Sequence, residues 1–198
     1  MAVNELKVKL TFTNELLGTW CSDPEIAKKF IASKAPDAKS LEEEVANLGV
    51  DAVVEQGKTV FPRNSEGAPI LYGYQILGFF KAAARALARD KSTKTAGLKA
   101  YIKIIDGNIR IKEREIPIIF DGEIGSCQRP LRAQTPQGER VAIANSETIP
   151  EGASAEFTIK MLGDWEKYVK EWLSYGEWSG IGQWRNSGKG QFTWEIIA

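Results

Sequence analysis

The spacing of hydrophobic and polar positions changes period several times along the chain, and each change marks an element. Leu6, Val8, Leu10 and Phe12 alternate with Lys7, Lys9, Thr11 and Thr13, the period-two pattern of a strand buried on one face. Ser22-Asp23 ahead of Pro24 supplies a helix N-cap and an N1 proline, which predicts a short helix from Glu25 to about Ser33. Ser40 and Glu43 form a capping box for a second short helix through Val45 and Leu48, stopped at Gly49. Residues 59–62 read as extended, and Asn64 to Gly67 as a turn. Over 73–90, Ile76, Phe80, Ala83 and Leu87 share one helical face. Lys81, Arg85 and Arg89 recur every four residues as a basic stripe displaced from it. Tyr101 to Lys112 reads as a hairpin around Asp106-Gly107, and 113–150, with Pro117, Pro130, Pro136 and Pro150, as loop-rich. Phe157, Ile159 and Met161 alternate again. Trp165, Tyr168, Val169, Trp172 and Leu173 fit an amphipathic helix ended by Gly176, and Phe192 to Ile196 is a last strand. The order predicts an α+β fold, a mostly antiparallel sheet with helices on one face and a helical insertion over about 20–58. With no repeat and no interior linker, the chain reads as one domain over 1–198.

Composition narrows the chemistry. At 198 residues, with 43% hydrophobic and 26% charged side chains, the chain is long enough to bury a core without a disulfide or a structural metal. It contains 26 basic and 26 acidic residues and no histidine, which removes the Ser-His-Asp triad, the Cys-His dyad, HExxH zinc sites and imidazole-based RNA cleavage. Cys21 and Cys127 are far apart and form no CxxC pair; they read as free thiols in a reducing compartment, with one disulfide as the alternative. No stretch approaches the roughly 20 apolar residues of a membrane helix, and Met1 to Lys9 is charged and alternating, unlike a leader. The expectation is a soluble, cytoplasmic protein without a cofactor. Neutrality hides an asymmetry: residues 81–140 carry 13 basic against 7 acidic side chains, and residues 15–58 carry 9 acidic against 5 basic.

Two segments suit phosphate. Between Gly180 and Gly190, glycines are interleaved with Gln183, Trp184, Arg185, Asn186, Ser187 and Lys189. Glycines such as Gly182 and Gly188 let backbone N–H groups approach an anion, arginine and lysine add charge, and an exposed tryptophan stacks on a base. The spacing is not that of a Walker A loop, and a tight glycine connection around a core tryptophan fits the composition equally well. The second segment, Arg129-Pro130-Leu131-Arg132, offers two guanidinium groups on a proline-stiffened loop, suited to bidentate capture of phosphate or carboxylate. The alternative is an ordinary exposed loop. Asp23 beside Pro24 reads as a helix cap.

Residues 12–19, 59–87, 147–162 and 180–197 occur in an order that resembles the RAMP superfamily, the CRISPR-associated RNA-binding proteins with a ferredoxin-like, RRM-related fold. The likeness is carried by Pro69 to Gly78 as a loose helix-start motif, by Pro150-Glu151-Gly152-Ala153-Ser154-Ala155-Glu156-Phe157 as a strand motif, and by the C-terminal glycine-rich loop. Tyr74 and Leu77 depart from the helix-start pattern. The resemblance implies that the helix from Gly73 and the loop Gly180–Gly190 lie beside an RNA backbone. Its target-cleaving members use an aspartate after the first strand, a region that here holds Asp23 and Asp37, but the cap explains Asp23 better. The expected function is non-catalytic binding of single-stranded RNA or another phosphate-bearing ligand through Lys81, Arg85, Arg89, Arg129, Arg132 and residues 182–189. The alternative is a protein-docking subunit or decoy acting on a CRISPR-type effector complex, motivated by the acidic insertion and five tryptophans after residue 164.

Overall fold

Strand β1 (Val3–Phe12) buries Leu6, Val8, Leu10 and Phe12 and turns Glu5 and Lys7 outward, as its alternation requires. The computed structural model describes residues 3–21, 58–135 and 138–197, and for Cys21 and residues 131–135 and 138–142 the backbone alone. The helices expected over 25–33 and 40–48, with Asp23 and Asp37, lie outside the described residues. Strand β1 is flanked on both sides by antiparallel partners, β10 (Ser154–Leu162) and β11 (Phe192–Ile196). Strand β10 pairs further with β6 (Ile109–Ile111) and β7 (Glu115–Ile119), and β7 pairs with β5 (Ile70–Tyr72). The order β11-β1-β10-β7-β5 places the first and third strands of a ferredoxin-like βαββαβ unit at the sheet centre. Between β6 and β7 the ladder is interrupted. The Glu113 carboxylate fills the gap, accepting from the Thr158 backbone N–H at 2.7 Å and its hydroxyl at 2.9 Å.

Helix α1 (Gly73–Leu87) buries Ile76, Phe79, Phe80 and Ala83, and α3 (Glu166–Ser174) buries Val169, Trp172 and Leu173. Phe80 meets Trp172 at 5.8 Å, and Phe192 joins Phe79 edge-on at 5.3 Å, so aromatic side chains knit both helices to the sheet. A polar lock secures α3: the Glu171 carboxylate accepts from the backbone N–H groups of Lys94 (2.7 Å) and Thr95 (2.9 Å) and from the Thr95 hydroxyl (2.5 Å). That hydroxyl in turn accepts from Trp172 Nε1 at 3.0 Å.

Three expectations are corrected. Tyr101–Asn108 is a helix, α2, running into β6, and not one arm of a hairpin; Gly107 lies inside its last turn, and the local reversal occurs earlier, at Ala100 (φ 56°). The stretch 113–150 is mostly strand: β7 is followed by β8 (Gly125–Thr135) and β9 (Gly138–Ile149), a long antiparallel hairpin. Its prolines misled because Pro117 and Pro130 sit inside strands, opposite Ile70 and Ile143, where they only lack an N–H. Gly176 does not end the helical region but opens a one-turn helix, α4 (Gly176–Ser179), with an added Cβ excluded by the Phe192 ring.

The β8–β9 hairpin belongs to a second five-stranded sheet of order β2-β9-β4-β3, built with β2 (Leu16–Leu17), β3 (Trp20–Cys21) and β4 (Thr59–Val60). Two compact units result. One comprises Met1–Leu16, Pro62–Glu123 and Ile149–Ala198, and the other Leu17–Phe61 and Ile124–Thr148, so the chain passes between them four times. No described helix is long and apolar enough to cross a membrane.

Candidate nucleic-acid interface

The outward face of the ferredoxin-like sheet is a poor platform for bases. Lys9 lies in register with both Glu156 and Glu195, and Glu5 faces Lys160 at 3.1 Å, so charges on this face neutralise one another. Its central positions on β1 and β10 are Glu5, Lys7, Lys9, Thr11, Glu156, Thr158 and Lys160, none of them aromatic.

The loop Gly180–Gly190 presents a different surface. Its neck is closed by Ile181 N–H donating to the Gly190 carbonyl at 2.9 Å and by Gly190 N–H donating to the Glu15 carbonyl at 2.8 Å. Both neck glycines have positive φ, 66° and 71°. A Cβ on Gly180 would lie 2.5 Å from the Gly190 carbonyl carbon, and one on Gly190 would overlap the Ile181 oxygen. These two glycines serve closure rather than anion contact. Lys189 is likewise engaged, its Nζ 2.5 Å from the Glu15 carboxylate. The Gln191 amide donates to the Trp178 carbonyl (2.8 Å) and accepts from Asn14 Nδ2 (2.7 Å), fixing the base of the loop.

Inside the neck, Gly182 (φ 90°) and Gln183 lead to Trp184, which is left-handed at φ 54°. Such a conformation costs a non-glycine residue roughly 1–2 kcal/mol. A 3-10 turn over Arg185–Ser187 follows and ends at Gly188 (φ 78°), with Ser187 N–H donating to the Trp184 carbonyl and Gly188 N–H to that of Arg185. Trp184 is 40% exposed, and Arg185, Asn186 and Ser187 face solvent. The alternative of a core tryptophan in this loop does not hold. Burying the ring would also draw in Arg185, Asn186 and Ser187, whose polar groups would then need partners.

A cleft of about 510 Å³ lies against this turn, lined by Ala82, Tyr175, Trp178, Arg185, Asn186 and Gln191. It reaches α1 at Ala82, next to Lys81 and three residues before Arg85, so the loop and the basic helix do come together. The stripe itself is weaker than its spacing implies. Lys81 Nζ is 2.5 Å from Asp106, and Arg89 lies beyond the Ala88 C-cap, off the helix, leaving Arg85 as the exposed base within α1. Next to Arg89, the backbone N–H and hydroxyl of Ser92 hold the Asp90 carboxyl below the usual carboxylate range. At the other end of α1, burial and then the neighbouring Tyr72 raise the Tyr74 phenol; its ring stacks on Tyr72 at 5.4 Å.

The arginines at 129 and 132 belong to the second unit and do not line the cleft. Arg129 is not on an exposed loop: it is 7% accessible within β8, with Nη1 3.4 Å from Ser146 Oγ. The long pairing with β9 turns it inward. Arg132 is on the same strand, its side chain outside the described residues. Sequence reasoning counted Trp178 only among the five tryptophans after residue 164 and gave it no place in the binding site, having taken Gly176 as a stop. Among the described residues no three carboxylates or thiols gather as a cation site.

Two solved structures share this architecture. The chain superposes over 98% of its length on a chain of the Type III-B Cmr-beta complex bound to cognate target RNA, with TM-score 0.55 and 10% identity. It also superposes over 98% on a chain of a Type IV-B CRISPR complex, with TM-score 0.50 and 11% identity. The shared fold is α+β and ferredoxin-like. The chain spans 61% of the first neighbour and 91% of the second. No protein-family profile matches the sequence, and no curated protein does so significantly. The likeness is therefore one of backbone path, with little side-chain identity.

Proposed function

We propose that this RAMP-like protein binds single-stranded RNA, or another phosphate-bearing ligand, without turning it over, within a larger CRISPR-type ribonucleoprotein assembly. The observation that carries the reading is the exposed Arg185-Asn186-Ser187 turn, held rigid by the neck at Gly180 and Gly190 and placed at a cleft that reaches the basic side of α1. A guanidinium on a preformed turn binds phosphate without first ordering the chain. The Cmr-beta neighbour, whose complex is bound to target RNA, supports the same assignment. With no histidine in the chain, the imidazole route to RNA cleavage is closed.

Fluorescence anisotropy with labelled single-stranded RNA at two salt concentrations tests the proposal. Affinity should rise as salt falls, since phosphate contacts release counterions. Arg185→Ala should weaken binding by roughly 1–3 kcal/mol while changing fold stability by less than about 0.5 kcal/mol. Absence of binding by the unaltered protein even at low salt would defeat the reading. A second reading, a docking subunit or decoy without its own RNA contact, is favoured by the match over 91% of a Type IV-B complex chain, the span of a whole subunit. A stoichiometric protein partner that survives nuclease treatment, with no RNA affinity in the isolated chain, would select it.

A further inference from the structure

Trp178 is the most exposed of the described large hydrophobic side chains, at 78%. Its backbone is nevertheless fixed on both sides: its N–H donates to the Tyr175 carbonyl at 3.1 Å, and its carbonyl accepts from Gln191 at 2.8 Å. An indole on a fixed backbone, exposed beside a cleft, is a large apolar surface open to a partner. The surroundings say which partner suits it. Besides Trp178 itself, the lining includes Ala82 and Tyr175 as apolar or aromatic side chains, while Arg185, Asn186, Ser179 and Gln191 are polar or charged. An apolar protein anchor would leave those groups facing hydrocarbon, whereas a nucleotide offers a flat π-face and a phosphate at once. The cleft, about 510 Å³, is in the range that takes one small ligand.

We infer that Trp178 is a stacking platform for one unpaired nucleobase, with Arg185 taking the adjoining phosphate; the inference rests on the RNA-binding reading above and adds single-strand selectivity to it. A duplex keeps its base faces occupied by their neighbours, so only an unstacked strand can use the indole. Stacking is tolerant of base identity, because every base has a π-face. It releases no counterions, so the two residues must separate in their salt dependence.

The test uses the full chain and a labelled single-stranded RNA. Trp178→Ala should weaken binding roughly 5- to 150-fold, the range of one base–aromatic stack. Its log–log salt slope should stay that of the parent, whereas Arg185→Ala should flatten the slope by about 0.7, the value for one single-strand phosphate. Trp178→Phe should keep most of the affinity, and the same RNA as a duplex should bind the parent no better than it binds Trp178→Ala. An RNA carrying abasic sugars should bind the parent and Trp178→Ala equally. Equal melting temperatures of Trp178→Ala and the parent show that the fold is intact. Parent-like RNA affinity in Trp178→Ala, with Arg185→Ala weakened, overturns the stacking assignment and leaves the phosphate reading standing. An equal loss on abasic and ordinary RNA also overturns it, as does a nuclease-resistant protein partner lost in Trp178→Ala while RNA affinity persists. A parent that binds no RNA at low salt fails the earlier reading itself.

Discussion

Adding one methyl group at Gly190 should open the loop neck. The added Cβ would overlap the Ile181 carbonyl oxygen, and φ of 71° is a left-handed conformation that alanine adopts only at a cost. Relief requires the two strands of the neck to part, which sacrifices the bond from Ile181 N–H to the Gly190 carbonyl (2.9 Å) and that from Gly190 N–H to the Glu15 carbonyl (2.8 Å). The conformational cost is roughly 1–2 kcal/mol and each lost bond roughly 0.5–1.5 kcal/mol, giving about 2–5 kcal/mol in all for Gly190→Ala. In a chain of 198 residues this corresponds to a melting temperature lower by roughly 4–20 °C, read by differential scanning calorimetry. Gly78→Ala is the control. Gly78 lies within α1, a Cβ there meets nothing within 4 Å, and alanine should stabilise by roughly 0.5–1 kcal/mol. The same substitution thus has opposite signs at two glycines. If Gly190→Ala melted within about 2 °C of the parent, the closed neck, and with it the preformed Arg185 turn, would be refuted.

Ala100 is left-handed at φ 56° and exposed ahead of α2, so Ala100→Gly should stabilise by about 0.5–1 kcal/mol, the relief of strain less the greater entropy of an unfolded glycine. Thermal melting checks this, and a lower melting temperature would contradict the strain assigned there. Glu171→Gln keeps the side chain's size but turns an amide NH₂ toward a cluster of donors, of which Thr95 is fully buried. It should cost about 2–4 kcal/mol, seen as a lower urea midpoint with an unchanged m-value. A midpoint equal to the parent's would show that the lock between α3 and residues 94–95 contributes nothing.

The elements that depend on their own residues were legible in the chain. Strands β1, β10 and β11 and helices α1 and α3 carry unbroken periods of two or 3.6 because each rests one face on a single core, so burial writes itself into local spacing. The glycine-rich loop was legible as unusual chemistry, and an exposed Trp184 was one of the two readings its composition left open. What failed depended on partners outside the segment itself. Tyr101–Asn108 became a helix despite Asp106-Gly107, and β8 and β9 formed across prolines, because packing on a neighbouring helix and pairing of one strand with the other override local turn signals. Arg129 was turned inward by the β9 ladder, Lys81 was engaged by an aspartate on α2, and Lys189 by Glu15, three ion or hydrogen-bond partners that no spacing rule connects. The roles of the glycines divided in the same way. Composition shows that the backbone is free to approach something, but only the packed neck decides that at Gly180 and Gly190 this something is the chain itself. Local periodicity determined which segments fold and which face they bury; contacts between separate elements, from 17 to 174 residues apart, decided which charges remain available to a ligand.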